Sequence, residues 1–196
     1  MVAEFWKGPF GDEYAGRAPG SVEASEEMLR RALEGDNIQS AIEFGAGVGT
    51  NLRALRAIYP DIRLAAVEVN QAAIAQMPKG IDVYEGDMLT LHLDRNWELA
   101  FTRGVLIHIS PADLPRAYAK IYRAASRFVL LAEYYSPTRE EVRYRGHAGK
   151  LWKGDFAGEM MDTYPDLRLL EYGFIYHRDV DHPQDDVTFF LMEKRP

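Results

Sequence analysis

Cysteine is absent from the 196 residues, which removes disulfides, thiolate metal sites and cysteine nucleophiles together. No apolar run reaches bilayer-spanning length, and the opening MVAEFWKGPFGDEY carries no signal-peptide core. The expectation is a cytoplasmic protein with no membrane partner. An excess of basic residues is missing as well: the net charge is −7 and the sequence pI about 5.3. A broad electrostatic footprint for nucleic acid is therefore not expected. Repeats, linkers and low-complexity stretches are also lacking. What remains is 47% hydrophobic and 27% charged, the balance of an ordinary globular chain long enough for one domain with a sizeable core.

Short apolar runs alternate with amphipathic ones, as in βαβ units. The pattern predicts strands near Ala41–Phe44, Arg63–Val67, Ile81–Tyr84, Leu99–Thr102 and Arg127–Ala132, then two more near Leu167–Tyr176 and Val187–Glu193. Helices are predicted over Val22–Leu33, Thr50–Tyr59, Gln71–Gln76 and Ala112–Ala125, the last capped by Ser110 with Pro111 at its first position. Asp155–Met161 reads as a further helix start. Gly173 suggests a bulge in a late strand. A single domain over residues 1–196 divides into a flap and helix (1–35), a cofactor-binding half (36–135) and an acceptor-side segment with the final strands (136–196).

The densest signal is Ala41-Ile42-Glu43-Phe44-Gly45-Ala46-Gly47-Val48-Gly49-Thr50-Asn51. An apolar strand ends in an acid, and three alternating glycines lead into a helix. Glycine accepts positive φ and lets a ligand approach the backbone, and such turns sit where open α/β sheets bind ligands. A dinucleotide site reads G-x-G-x-x-G; the spacing here is G-x-G-x-G. Glu68, beside Val69, closes the second strand, where a carboxylate can take both hydroxyls of a ribose. Nicotinamide folds use the same device. Asp87, in Gly86-Asp87-Met88 after the third strand, is placed to accept an adenine amino group with Met88 alongside, although Gly-Asp pairs are also common turn formers.

This set resembles the class I S-adenosylmethionine-dependent methyltransferases. The resemblance implies a Rossmann-like seven-stranded sheet, mostly parallel with an antiparallel last strand and helices on both faces. It also implies S-adenosyl-L-methionine as cofactor, with S-adenosyl-L-homocysteine as product. Cofactor contacts would then come from Glu43, Gly45, Ala46, Gly47, Asn51, Glu68, Val69, Asp87, Met88, Arg103 and Gly104. Tyr14 and Arg17 join them if the aromatic, glycine-rich N-terminus closes as a flap. That segment reads equally well as one pinned to the core by aromatic anchors.

The acceptor is expected at the remaining polar features. Arg143, Arg145, His147, Lys150 and Lys153 fall within residues 143–153 with no acid among them, a local inversion of charge suited to a phosphate or carboxylate. Arg143, Arg145, Lys150 and Lys153 with Trp6 and Tyr135 form the expected substrate-binding set, and His147 is the first candidate base. His108 and Tyr134 follow it as candidate catalytic residues. His108 equally reads as a histidine satisfied at the sheet edge. Asp179, Asp181, Asp185 and Asp186 with His177 and His182 read as a solvated acidic loop, and no metal is expected.

Longer strings, FWKGPFGDEY, YRGHAGKLWKGDFAGEMM, YGFIYHRD and QDDVTFFLMEK, resemble the pseudaminic acid biosynthesis-associated methylases. That resemblance implies methyl transfer to an activated sugar or nonulosonic acid-type metabolite carrying an anionic group. Alternatives are a nicotinamide-dependent oxidoreductase and a non-catalytic cofactor-binding regulator. The absence of an N/D-P-P-Y/F motif speaks against methylation of bases, a protein target stays open, and the reading allows a homodimer.

Overall fold

The computed structural model describes residues 2–17 and 20–195. Two short helices, α1 (Val2–Lys7) and α2 (Pro9–Gly16), precede α3 (Val22–Ala32), and β1 (Ser40–Phe44) leads through α4 (Thr50–Ile58) to β2 (Arg63–Glu68). Then come α5 (Gln71–Ile74), β3 (Ile81–Glu85), β4 (Trp97–Arg103), a 3-10 turn (Leu106–His108), α6 (Leu114–Ala124) and β5 (Ala125–Glu133). A small hairpin, β6 (Glu140–Glu141) with β7 (Trp152–Lys153), precedes α7 (Phe156–Thr163), β8 (Leu167–Ile175) and β9 (Val187–Lys194).

Seven strands form one sheet in the order β3-β2-β1-β4-β5-β9-β8. Strands β1 to β5 are mutually parallel, and β9 runs antiparallel to both β5 and β8. The period-2 alternation of strands sends side chains to two cores. Phe44, Val67, Val129 and Leu131 pack with α6 and α7 on one face, while Ala66, Leu130, Phe189 and Leu191 pack with α3 and α4 on the other. Helices therefore cover both faces, and every βα turn after β1 to β4 lies at one end of the sheet.

Four details differ from expectation. Ser110–Asp113 form a turn, with Ser110 Oγ donating to Asp113 Oδ2 at 2.9 Å, so α6 starts at Leu114 with Pro115 in its first turn. The helix after Asn70 stops at Ile74. The irregularity in β8 lies between Leu169 and Glu171. Gly173 pairs regularly with Phe189, and a Cβ there would come within 2.5 Å of the Phe189 ring, so room for that ring explains this glycine. The basic run 143–153 is folded as a hairpin rather than an open loop. Val142 N–H reaches Leu151 O at 2.9 Å, and Tyr144 and His147 exchange main-chain bonds at 2.9 and 2.8 Å. Arg145 and Gly146 carry φ of 47° and 87°, the two left-handed residues of a type I′ turn.

Candidate functional site

The glycine turn after β1 is bent towards β2: Gly45 and Ala46 both donate to Val67 O, at 2.7 and 3.2 Å. Gly45, Gly47 and Gly49 all have positive φ. A Cβ on Gly45 would come within 2.6 Å of the Val105 side chain and one on Gly49 within 2.6 Å of Met77 Sδ. At Gly47, and at Gly104 after β4 (φ 63°), it would meet nothing within 4 Å. These two glycines, on adjacent strands, open onto space where a ligand can lie against the main chain.

Three acids surround that turn. Glu43 is buried, its Oε1 accepting from Asn51 Nδ2 at 2.6 Å, while Oε2 is buried without a partner among the described residues. Burial raises its pKa to about 8. Asn51 Oδ1 in turn accepts from Arg103 at 2.8 Å, and the same guanidinium reaches Ser25 Oγ (2.7 Å) and Gln184 Oε1. Arg103 thus presents its side chain to the crevice floor. Glu68 accepts from Gly47 N–H at 2.7 Å through Oε2, and from Val69 and Asn70 N–H at 2.7 and 2.8 Å through Oε1. It ties the glycine turn to the end of β2, and Oε2 keeps lone-pair capacity for a hydroxyl. Asp87 is half-buried and its Oδ1 accepts from Leu89 N–H at 2.9 Å. The turn-forming role is present, with Oδ2 left over, and the Met88 side chain is buried beside it.

The N-terminal segment is two helices clasped over this end of the sheet. Trp6 lies against His108 (ring centroids 4.8 Å), Tyr14 (5.3 Å) and Tyr144 (6.4 Å). Asn70, at the start of α5, donates to Trp6 O at 3.1 Å and Asp12 Oδ1 at 2.7 Å. The aromatic anchors expected of this segment are present. Arg17 pairs with Glu13 at 2.7 Å and sits over the Phe10 and Tyr14 rings, with Nη1 unpartnered among the described residues.

The two candidate histidines part company. His108 is buried, and its Nδ1 lies 2.6 Å from Lys150 O. A carbonyl only accepts, so Nδ1 carries the proton, and burial depresses the pKa to about 4. His147 is exposed at the hairpin tip, edge-on to Phe5 and Phe10. Tyr134 donates to Asp185 Oδ2 at 2.9 Å. Tyr135 instead packs on Phe190, on the α7 side. Hairpin alternation turns Val142 and Tyr144 towards the core and leaves Arg143 exposed. Arg145, Lys150 and Lys153 each sit over an aromatic ring, of Tyr144, Phe5 and Tyr134 respectively. In the β8–β9 loop, Asp179 accepts from Asp181 and His182 N–H and Asp186 pairs with His177. Among the described residues no cluster of acids and histidines is placed to hold a metal, and no helix is long and apolar enough to cross a membrane.

Two site residues escaped sequence reasoning. Glu133, at the end of β5, is buried and accepts from Val105 and Leu106 N–H at 3.1 Å each and from Ile107 N–H at 3.3 Å. It shapes the turn that carries His108. Its signal was an acid closing an apolar run, Phe128–Ala132, as at Glu68. Asp185 sat in an acidic run with nothing to single it out.

No family model matches the chain, and no curated protein matches it. Solved structures do. Magnesium protoporphyrin IX methyltransferase from Synechocystis PCC 6803, with S-adenosylhomocysteine bound, superposes with a TM-score of 0.70 at 11% identity, over 99% of this chain and 98% of that one. The N-methyltransferase NodS from Bradyrhizobium japonicum, in complex with the same molecule, gives 0.67 at 15%, over 89% and 87%. An S-adenosylmethionine-dependent methyltransferase from Leishmania major gives 0.69 at 14%, over 97% and 81%. The chain has the class I S-adenosylmethionine-dependent methyltransferase fold. In that methyltransferase fold the antiparallel β9, inserted between β5 and β8, separates the sheet from the six-stranded parallel dinucleotide sheet. Glu43, the glycine turn, Glu68, Asp87 and Gly104 all lie at its carboxyl end.

Proposed function

We propose that the chain transfers a methyl group from S-adenosylmethionine to a small-molecule acceptor that carries an anionic group. The observation that carries this reading is the open, left-handed Gly47 turn held by Glu68, with Glu43 beneath it and Asp87 next along the sheet. The residues fit the cofactor by donor and acceptor chemistry. Glu68 Oε2 has acceptor capacity for a ribose hydroxyl, and Asp87 Oδ2 for an adenine amino group. The buried Oε2 of Glu43 is a polar atom without a partner among the described residues, and Arg103 and Arg17 are cations suited to a carboxylate.

When bound, the cofactor supplies an electrophilic methyl sulfonium. The chain's own contribution is positioning, since holding reacting atoms about 3–3.5 Å apart and in line accounts for much of such an acceleration. The aromatic clasp of Trp6, Phe10 and Tyr14 excludes water. Arg145, Lys150 and Lys153 supply positive charge at the mouth for a phosphate or carboxylate, as the resemblance to the pseudaminic acid-associated methylases would require. Calorimetry with S-adenosylhomocysteine and with NADH tests the reading: heat with the former alone is expected, and heat with the dinucleotide alone would reject it. Labelled methyl transfer into a cell-extract metabolite pool, read by mass spectrometry, then separates an enzyme from a cofactor-binding regulator.

A further inference from the structure

Resting on the methyl-transfer reading, we infer that the acceptor atom is a hydroxyl oxygen and that Asp185 takes its proton, with Tyr134 orienting the carboxylate. Three elements meet above the ends of β4 and β5: helix α2, the β6–β7 hairpin and the β8–β9 loop. Each contributes to one cluster. The Tyr14, Tyr134 and Tyr144 hydroxyls and the Asp185 carboxylate lie close enough that Asp185 and Tyr144 both act, after burial, to raise the pKa of Tyr14 and of Tyr134. Tyr134 donates to Asp185 Oδ2 at 2.9 Å, which leaves Oδ1 for a second hydroxyl.

Asp185 is exposed, and its loop is tied to the sheet end through the preceding residue. Its neighbour Gln184 donates to Ala24 O in α3 at 2.9 Å and accepts from Arg103. That clamp holds Asp185 over the end of β5, beside the Gly104 opening. The buried competitors are otherwise committed. His108 gives its Nδ1 proton to Lys150 O and is buried in a setting that disfavours protonation. His147 is exposed at the hairpin tip against the Phe5 and Phe10 rings. Glu43, Glu68 and Glu133 are engaged by Asn51 or by main-chain N–H groups.

A neutral amine attacks with its lone pair and needs no base, whereas an alcohol becomes strongly acidic as the new carbon–oxygen bond forms. A carboxylate is then a competent acceptor of the proton. In the step, the acceptor oxygen bonds the methyl carbon while the carbon–sulfur bond breaks. That electron pair stays on sulfur, and the hydroxyl proton passes to Asp185 Oδ1.

The test uses full-length protein, isotope-labelled S-adenosylmethionine and three probes: UDP-glucuronic acid, glucose phosphate and glucosamine phosphate, with a cell-extract metabolite pool as a fourth sample. The expected label is a methyl ether, identified by the carbon shift of the product methyl, even for the probe that offers an amine. D185N should lower kcat by about 100-fold or more and leave S-adenosylhomocysteine affinity by calorimetry at the parent value, with D185E recovering part of the rate. Independently of turnover, alkaline titration of tyrosinate absorbance should show Tyr134, and to a smaller extent Tyr14, ionising earlier in D185N, since both lose the nearby carboxylate charge. N-methyl product, no ether from any sample, an unaffected D185N rate or an unchanged titration would each overturn the inference. Failure of the parent to bind S-adenosylhomocysteine would overturn the methyl-transfer reading instead.

Discussion

At the scale of single residues, the site is a set of carboxylates with different tasks. Glu68 spends three acceptor positions on its own backbone, so Glu68→Ala should both loosen the glycine turn and weaken cofactor binding. Asp87→Ala should weaken binding with little effect on the turn after β1. Each should cost about 1–3 kcal/mol in S-adenosylhomocysteine affinity, the scale of a hydrogen bond involving a charged group, and calorimetry on both variants checks it. Glu43 gives a pH signature. Burial moves its pKa from 4.5 to about 8, so between those values the folded protein holds a proton that the unfolded chain releases. Its contribution to stability therefore falls as pH rises through that window. Glu133, raised to about 7 by burial, acts in the same direction. Melting temperatures from about pH 5 to about pH 8 should decline in the parent relative to Glu43→Gln, which has no carboxyl to ionise. A flat difference between the two would show that Glu43 is ionised at neutral pH in the fold.

At the scale of elements, the N-terminal clasp depends on one glycine. A Cβ on Gly11 would come within 1.7 Å of Trp6 O and 2.8 Å of Asn70 Nδ2, so Gly11→Ala must separate α1 from α2. Trypsin should then cut after the exposed Lys7 faster than in the parent, and Trp6 fluorescence should shift towards that of a solvated indole. A loss of about 1–3 kcal/mol is the usual scale of overpacking. What was legible in the sequence follows the same physics. Strands β1 to β5 could be read because their apolar runs are bounded by turns, and the acids at their ends because a carboxylate closing a buried strand is conspicuous. The hairpin was not legible: its two strands are two residues each, too short for any period to show, and Arg145 adopts a positive φ that its residue type does not advertise. Nor was the split between Arg143, facing solvent, and Tyr144, facing the core. That separation exists only once the hairpin pairs. Tyr134 and Tyr135 look equivalent as neighbours in sequence, yet Tyr134 is half-buried against both cores and bonded to Asp185, while Tyr135 is exposed beside Phe190.

At the scale of the whole molecule, a ligand that binds only the folded state raises its stability by mass action. S-adenosylhomocysteine at a hundred times its dissociation constant should add about 2.7 kcal/mol. For a chain of this size each kcal/mol is worth roughly 2–4 °C in melting temperature. Scanning calorimetry with and without the compound should show that rise for the parent, and a smaller one for Glu68→Ala at the same concentration.

The position of β9 has a consequence for how the chain is made. It is translated after the other eight strands, yet it lies between two of them, bonded along Phe128–Glu133 on one side and Leu167–Ile175 on the other. Until the ribosome has released residues 187–194, the hydrogen-bonding rims of β5 and β8 have no complement. The nascent polypeptide should therefore stay open and chaperone-dependent until those residues emerge, and a truncation at Asp186 should yield aggregate rather than a smaller domain.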